Sequence, residues 1–243
     1  MDINFSEDKR PNSNLINWDM RSLSFLPPLR FDVFLGSDQI AFDPTGNLFA
    51  TVAKSDYNTE RLLSIHQLSD AKQIYATQFQ SQKLGHVIND IEWSPNSQLI
   101  AVGISNGQVQ AYLTDNLSRV FDIKIQSNQS DSVAQINAIS FSPDNLLLAA
   151  AGQDEIVYIW NTSDWSEKYI VEDSDTPILD IDFSPDGKFL AIAEAGGLHV
   201  WDMEKGIRVP NFNPQYKEFA VAYSPDGSLL VAAGNDRHVR IWR

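Results

Sequence analysis

The stretch Ile181-Asp182-Phe183-Ser184-Pro185-Asp186-Gly187 decides how the rest of the chain is read. Alternation before the proline places Ile181 and Phe183 on one face of an extended segment and Asp180 and Asp182 on the other. Proline cannot donate a ladder hydrogen bond, so Pro185 belongs where a strand ends, and Asp186-Gly187 is a strong hairpin-turn dipeptide. Strand, tight turn, strand is the local structure predicted.

The same word, apolar, any residue, aromatic, Ser or Asp, then Pro, recurs four more times. It stands at residues 40–44, 91–95, 139–143 and 221–225, with prolines separated by 51, 48, 42 and 40 residues. Each word leads into a polar turn and a short apolar run, such as residues 146–151 or 229–233. A further turn follows, then a third alternating strand that ends on an aromatic at Trp160, Trp201 or Trp242. Most repeats add a more polar fourth strand, at residues 73–79, 119–125 and 166–171. Four strands per period of about 45 residues is the arithmetic of a propeller blade. The expected fold is all-β: about five four-stranded antiparallel blades preceded by an N-terminal half blade.

These residues resemble the tryptophan-aspartate (WD) repeat β-propellers. In that family the third strand ends in Trp-Asp, with an Asp six residues earlier in the preceding turn. Asp154 precedes Trp160 by six and Asp236 precedes Trp242 by six, while Asn106 and Tyr112 hold the same spacing. Trp201-Asp202 gives the full dipeptide, and Gly85-His86 gives the family's Gly-His. The repeats depart from the pattern in places. None supplies the complete His, Ser/Thr, Asp, Trp tetrad, His66 stands where Trp is expected, and the fourth repeat has Ala195-Gly196-Gly197 in place of the turn Asp. The resemblance implies a non-catalytic scaffold that grips peptide segments on propeller-face loops, with Asp154, Trp160, Trp201, Asp236 and Trp242 as turn and strand-end residues. The Ser-Pro-Asp-Gly words also resemble the propellers of transport-associated proteins and of peptidase-gating domains. The repeat region of a larger signalling protein is a third reading.

Trp18-Asp19-Met20 repeats Trp201-Asp202-Met203 letter for letter, and residues 21–26 read as the outer strand after it. Residues 1–13 are expected to be a disordered tail and residues 14–243 the propeller. Its half blade covers 14–27, and the repeats lie near 36–79, 85–125, 133–171, 177–209 and 217–243. The fifth repeat shows no outer strand. Either an N-terminal strand closes the ring or the edge stays open to self-association.

Composition bounds the chemistry. A net charge of −14 and a pI near 4.5 argue against phosphate-backbone binding and against docking on anionic membranes. The absence of cysteine excludes disulfides, thiolate zinc sites and a cysteine nucleophile. No signal-like or membrane-length apolar run is present, so a cytoplasmic location is expected. No cofactor motif and no histidine pair at metal-ligand spacing appears, so neither metal nor cofactor is expected. His199 and His238 are expected within third strands as packed or surface imidazoles. Asp180 and Asp182 share a face and stand at positions that are polar in other repeats (Asp90, Glu92, Ser140), and are expected to be solvated or turn-capping acids. Acids divide almost evenly between the two faces, so charge chooses neither. One local run does stand out: Glu172-Asp173-Ser174-Asp175, a candidate dock for a basic peptide segment.

Overall fold

The computed structural model describes residues 14–15, 18–19, 24–25, 29–30, 37–54, 61–70, 72–79, 87–126, 134–210 and 217–243. The expected 1–13 tail, the Gly85-His86 pair, residues 55–60 of the first repeat's long hairpin and residues 127–130 lie outside the described residues. All regular structure among the described residues is β. It opens with four short strands: β1 (Asn14–Leu15), β2 (Trp18–Asp19), β3 (Ser24–Phe25) and β4 (Leu29–Arg30). β1 pairs with β4 and β2 with β3, both antiparallel, with Trp18 opposite Phe25.

The chain divides into two compact units, Met1–Phe42 with Gly46–Gly85, and Asp43–Thr45 with His86–Arg243. The first unit carries the first blade, a meander of β5 (Ser37–Phe42), β6 (Leu48–Lys54), β7 (Arg61–Gln67) and β8 (Gln73–Phe79). His66 stands near the end of β7 where tryptophan is expected, and it is buried. Its ring stacks on Phe49 at 4.9 Å between centroids, and its Nε2 lies 3.1 Å from the Thr51 hydroxyl.

The second unit holds four blades. The second is β9 (Ile88–Trp93), β10 (Leu99–Ile104), β11 (Gln108–Leu113) and β12 (Arg119–Lys124). The third is β13 (Ile136–Phe141), β14 (Leu147–Gly152), β15 (Val157–Asn161) and β16 (Glu167–Val171), and the fourth is β17 (Ile178–Phe183), β18 (Phe189–Glu194), β19 (Gly197–Asp202) and β20 (Ile207–Arg208). The fifth has three strands, β21 (Glu218–Tyr223), β22 (Leu230–Gly234) and β23 (Val239–Trp242). His238 thus lies in the turn before β23, not within the strand, because Asp236 accepts its backbone N–H there.

The Ser-Pro word builds its own turn. Ser142 donates to Asp144 at 2.6 Å and accepts the N–H of Leu147 at 2.9 Å; Ser184 repeats this with Asp186 and Phe189, and Ser224 with Asp226 and Leu229. The aspartates also accept the amides of Leu146, Lys188 and Ser228, so the serine and aspartate side chains satisfy backbone groups that the turn leaves unpaired. The turn needs a left-handed residue, supplied by Asn145 at φ 64° and by Gly187 and Gly227 at φ 71°.

Strand alternation gives each blade two apolar faces. One face of the third blade, with Ile139, Phe141, Leu148, Ala150 and Trp160, packs on Ala101, Val109 and Ala111 of the second. Its opposite face, with Ala138, Ala149, Ala151, Val157 and Ile159, packs on Ile178, Ile181, Phe183, Leu190 and Ile192 of the fourth. The fourth packs on the fifth the same way, through Ala191, Ala193 and Leu198 against Val221, Leu230 and Ala232. Small residues on one face receive large ones from the next blade. Burial of this kind is worth roughly 25 cal/mol per Å² of apolar surface, and it is the main force holding the second unit together.

Candidate functional site

The acids on the innermost strands are not solvated. Asp90, Glu92, Asp180 and Asp182 are half-buried, and each carboxylate reaches across to the first strand of the following blade. Asp90 accepts the N–H of Ile139 at 2.8 Å and Glu92 that of Phe141 at 2.7 Å; Asp180 accepts from Val221 at 2.8 Å and Asp182 from Tyr223 at 2.7 Å. This corrects the expectation of solvated or turn-capping acids. The first strand of a blade has no neighbour on its inner side, so its outward amides need acceptors, and a carboxylate from the preceding blade provides them. Burial pushes Asp90, Asp180 and Asp182 up to about 6 and drives Glu92 well above the usual carboxylate range; for Asp90, Glu92 and Asp182 the charge of neighbouring carboxylates adds to it. The third blade carries Ala138 and buried Ser140 at these positions and ties to the fourth through Asn137, which donates to Ile178 O at 2.7 Å.

The acidic run lies on the loop between β16 and β17, where Glu172, Asp173 and Asp175 are exposed. Its acids have different neighbours. Asp173 lies 3.8 Å from the Arg208 guanidinium, which in turn lies 4.0 Å from Glu194, and buried Glu194 sits 2.8 Å from buried His199. Glu172 borders a cleft of about 270 Å³ between the outer strands of the second and third blades. Ile123, Ile125 and Ile170 are among its walls, Trp160 forms its floor, and Glu167 stands with Glu172 at its rim. Neighbouring blades splay as their strands twist, which leaves a wedge at the outer radius.

Trp160, Trp201 and Trp242 lie at or next to the last residues of β15, β19 and β23, and Asp154 and Asp236 lie in the turns before β15 and β23. Trp160 is buried against Phe121 and Tyr158, with centroids at 5.4 and 6.1 Å. Trp201 packs at the boundary of the third and fourth blades, and Trp242 at that of the fourth and fifth. Asp236 caps its turn through the His238 amide and binds Arg240. Asp154 takes the Tyr158 hydroxyl at 2.9 Å, and burial raises its carboxyl above the usual range. Among the described residues no three His, Asp or Glu side chains converge as metal ligands, and no helix is long and apolar enough to cross a membrane.

Repeated four-stranded meanders, Ser-Pro turns and aromatic third-strand ends define a β-propeller of degenerate WD repeats. Residues 52–242 match the family model described as "Nucleolar protein 10-like, N-terminal domain", a β-propeller domain. The chain belongs to this family of WD-repeat propellers. Among curated proteins it is 26% identical over 168 residues to the "Cross-pathway control WD-repeat protein 2" of Flammulina velutipes, covering 64% of this chain and 51% of that one. It is 27% identical over 173 residues to the "Small ribosomal subunit protein RACK1" of Neurospora crassa (65% and 52%), and 24% identical over 180 residues to that of Drosophila melanogaster (68% and 54%). The chain spans about half the length of the curated relatives it matches.

Proposed function

We propose that this chain is a non-catalytic protein-interaction scaffold that binds basic peptide segments on its blade-end loops. The observation that carries this is the exposed run Glu172, Asp173 and Asp175 in a protein of net charge −14. Three acids within four residues concentrate negative potential where Lys and Arg side chains can approach without displacing packed structure. Kinship with WD-repeat proteins supports the scaffold reading. The same charge argues against nucleic acid and anionic membranes as ligands, and no cofactor is assigned. A cytoplasmic location is proposed; the family's name makes the nucleolus the alternative, and imaging of a tagged chain separates the two.

The test is fluorescence anisotropy with a labelled Lys/Arg-rich peptide, read at low and high salt. Replacing Glu172, Asp173 and Asp175 by Ser is expected to weaken binding about tenfold at low salt, equivalent to about 1.4 kcal/mol. Unchanged binding by the triple variant would remove the acidic run from the proposal.

A further inference from the structure

The blade seams of the second unit repeat one pattern, and the chain leaves both halves of that pattern uncovered. On the third strand of a blade, two apolar residues turn toward the next blade and lie beside small residues of the second strand. They are Val157 and Ile159 in the third blade, opposite Ala151 and Ala149, and Leu198 and Val200 in the fourth, opposite Ala193 and Ala191. The repeat word of the following blade fills the surface they form, Ile181 and Phe183 against the third blade, Val221 and Tyr223 against the fourth.

The fifth blade presents the receiving half. It pairs Val239 with Ala233 and Ile241 with Val231, in the register of Val157 and Ile159. Trp242 packs toward the fourth blade, so alternation turns Val239 and Ile241 to the opposite face. Val239 is 67% and Ile241 60% exposed, more than any other large hydrophobic residue among the described residues. The first blade presents the filling half. Its word places Ile40 opposite Thr51 and Phe42 opposite Phe49, the register of Ile139 opposite Ala150 and Phe141 opposite Leu148. Ile139 and Phe141 are buried against the second blade, whereas Ile40 is 40% and Phe42 51% exposed.

We infer that these two faces meet between copies: the first blade of one chain docks on the fifth blade of a second, continuing the array of blades across a head-to-tail seam. The occupant is a second copy because the chain itself carries the matching face, in the register and residue types that fill its internal seams. Such a contact is heterologous, with a different surface contributed by each copy. Each copy has a charge of −14, so the apolar seam forms against mutual repulsion and tightens as salt screens that repulsion. A basic peptide on the acidic run responds to salt in the opposite sense, so the two proposals are tested separately.

The experiment is sedimentation equilibrium of the full chain and of Phe42→Asp and Ile241→Asp, both at exposed positions. The mass of the parent is expected to rise above 27.3 kDa with concentration, and to rise further at high salt. Each variant alone should associate at least about tenfold more weakly, with unchanged melting temperature. An equimolar mixture of the two variants should form a one-to-one dimer and nothing larger, because Phe42→Asp chains keep an intact fifth blade and Ile241→Asp chains an intact first. A constant monomer mass from micromolar to submillimolar concentration would overturn the inference, as would association that survives both variants. Association lost in Ile241→Asp and untouched in Phe42→Asp would mean that two fifth blades pair with each other, and would overturn it too.

Discussion

The Asp180 carboxylate accepts the backbone N–H of Val221 at 2.8 Å, joining the fourth blade to the fifth across 41 residues of sequence. Its other oxygen accepts the N–H of Ile181 at 3.0 Å. Asp180→Ala therefore leaves two amides without their acceptor, and a loss of about 1–3 kcal/mol is expected by denaturant unfolding. Asp180→Asn retains one acceptor oxygen and should fall between the two. Equal stability of the alanine variant and the parent would show that the tie carries no net energy.

The same carboxylates give the protein an unusual pH response. Asp90, Asp180 and Asp182 titrate near 6 when folded, against an ordinary value of 3.8. A carboxyl whose folded value is raised stabilises the native state below its unfolded value, and that contribution is lost as pH rises through the folded value. The melting temperature should therefore increase as pH falls from 7.5 to about 5, by about 2–4 °C for each kcal/mol recovered. Asp226 and Asp236, both held at about 2, act in the opposite sense, but only below about pH 4. Calorimetry across this range checks the slope, and Asp180→Asn with Asp182→Asn should flatten it.

Gly152 is required for proximity. A Cβ there would stand 1.7 Å from the Gln135 carbonyl oxygen, which also accepts the N–H of Gln153. Gly152→Ala should cost about 3 kcal/mol or fail to fold. Gly206 offers the contrast, with φ +65° and nothing within 4 Å of an added Cβ, so Gly206→Ala should cost only about 1 kcal/mol, through backbone strain. Paired thermal melts distinguish the two.

Trp160 is buried and its N–H has no partner among the described residues, whereas in the first blade Thr51 meets the ring nitrogen of His66. Ala150 holds in the third blade the register that Thr51 holds in the first, two residues beyond the cross-strand partner of the ring. Ala150→Ser places a hydroxyl within reach of the indole and is expected to stabilise by about 1 kcal/mol. A drop in melting temperature would mean that the added oxygen overpacks the interface.

Much of this architecture is legible in the sequence, because it is written locally. The serine, aspartate and glycine of residues 184–187 lie within one turn and satisfy one another, so the turn and its flanking strands follow from seven letters. Trp201 and Trp242 close their third strands, at the last residue or the one before it, on the same grounds. The inner carboxylates are a different matter. Alternation says that Asp180 and Asp182 share a face, but whether that face meets water depends on a blade whose nearest strand begins at Glu218. The cleft is equally non-local, since β12 and β16 together enclose it and neither announces a wedge. Arg208 and Asp173 fall in separate segments, and nothing in their spacing reveals that the fold brings them within 3.8 Å of each other.

The carboxylate ties alternate along the second unit. They bind the second blade to the third and the fourth to the fifth, while the third reaches the fourth through the Asn137 amide alone among the described polar ties. That seam is where native-state opening should begin, with blades two and three parting from four and five as two cooperative halves. An apparently uniform array of blades would then behave kinetically as a pair of doublets, which native-state amide hydrogen exchange resolves as two separately protected groups.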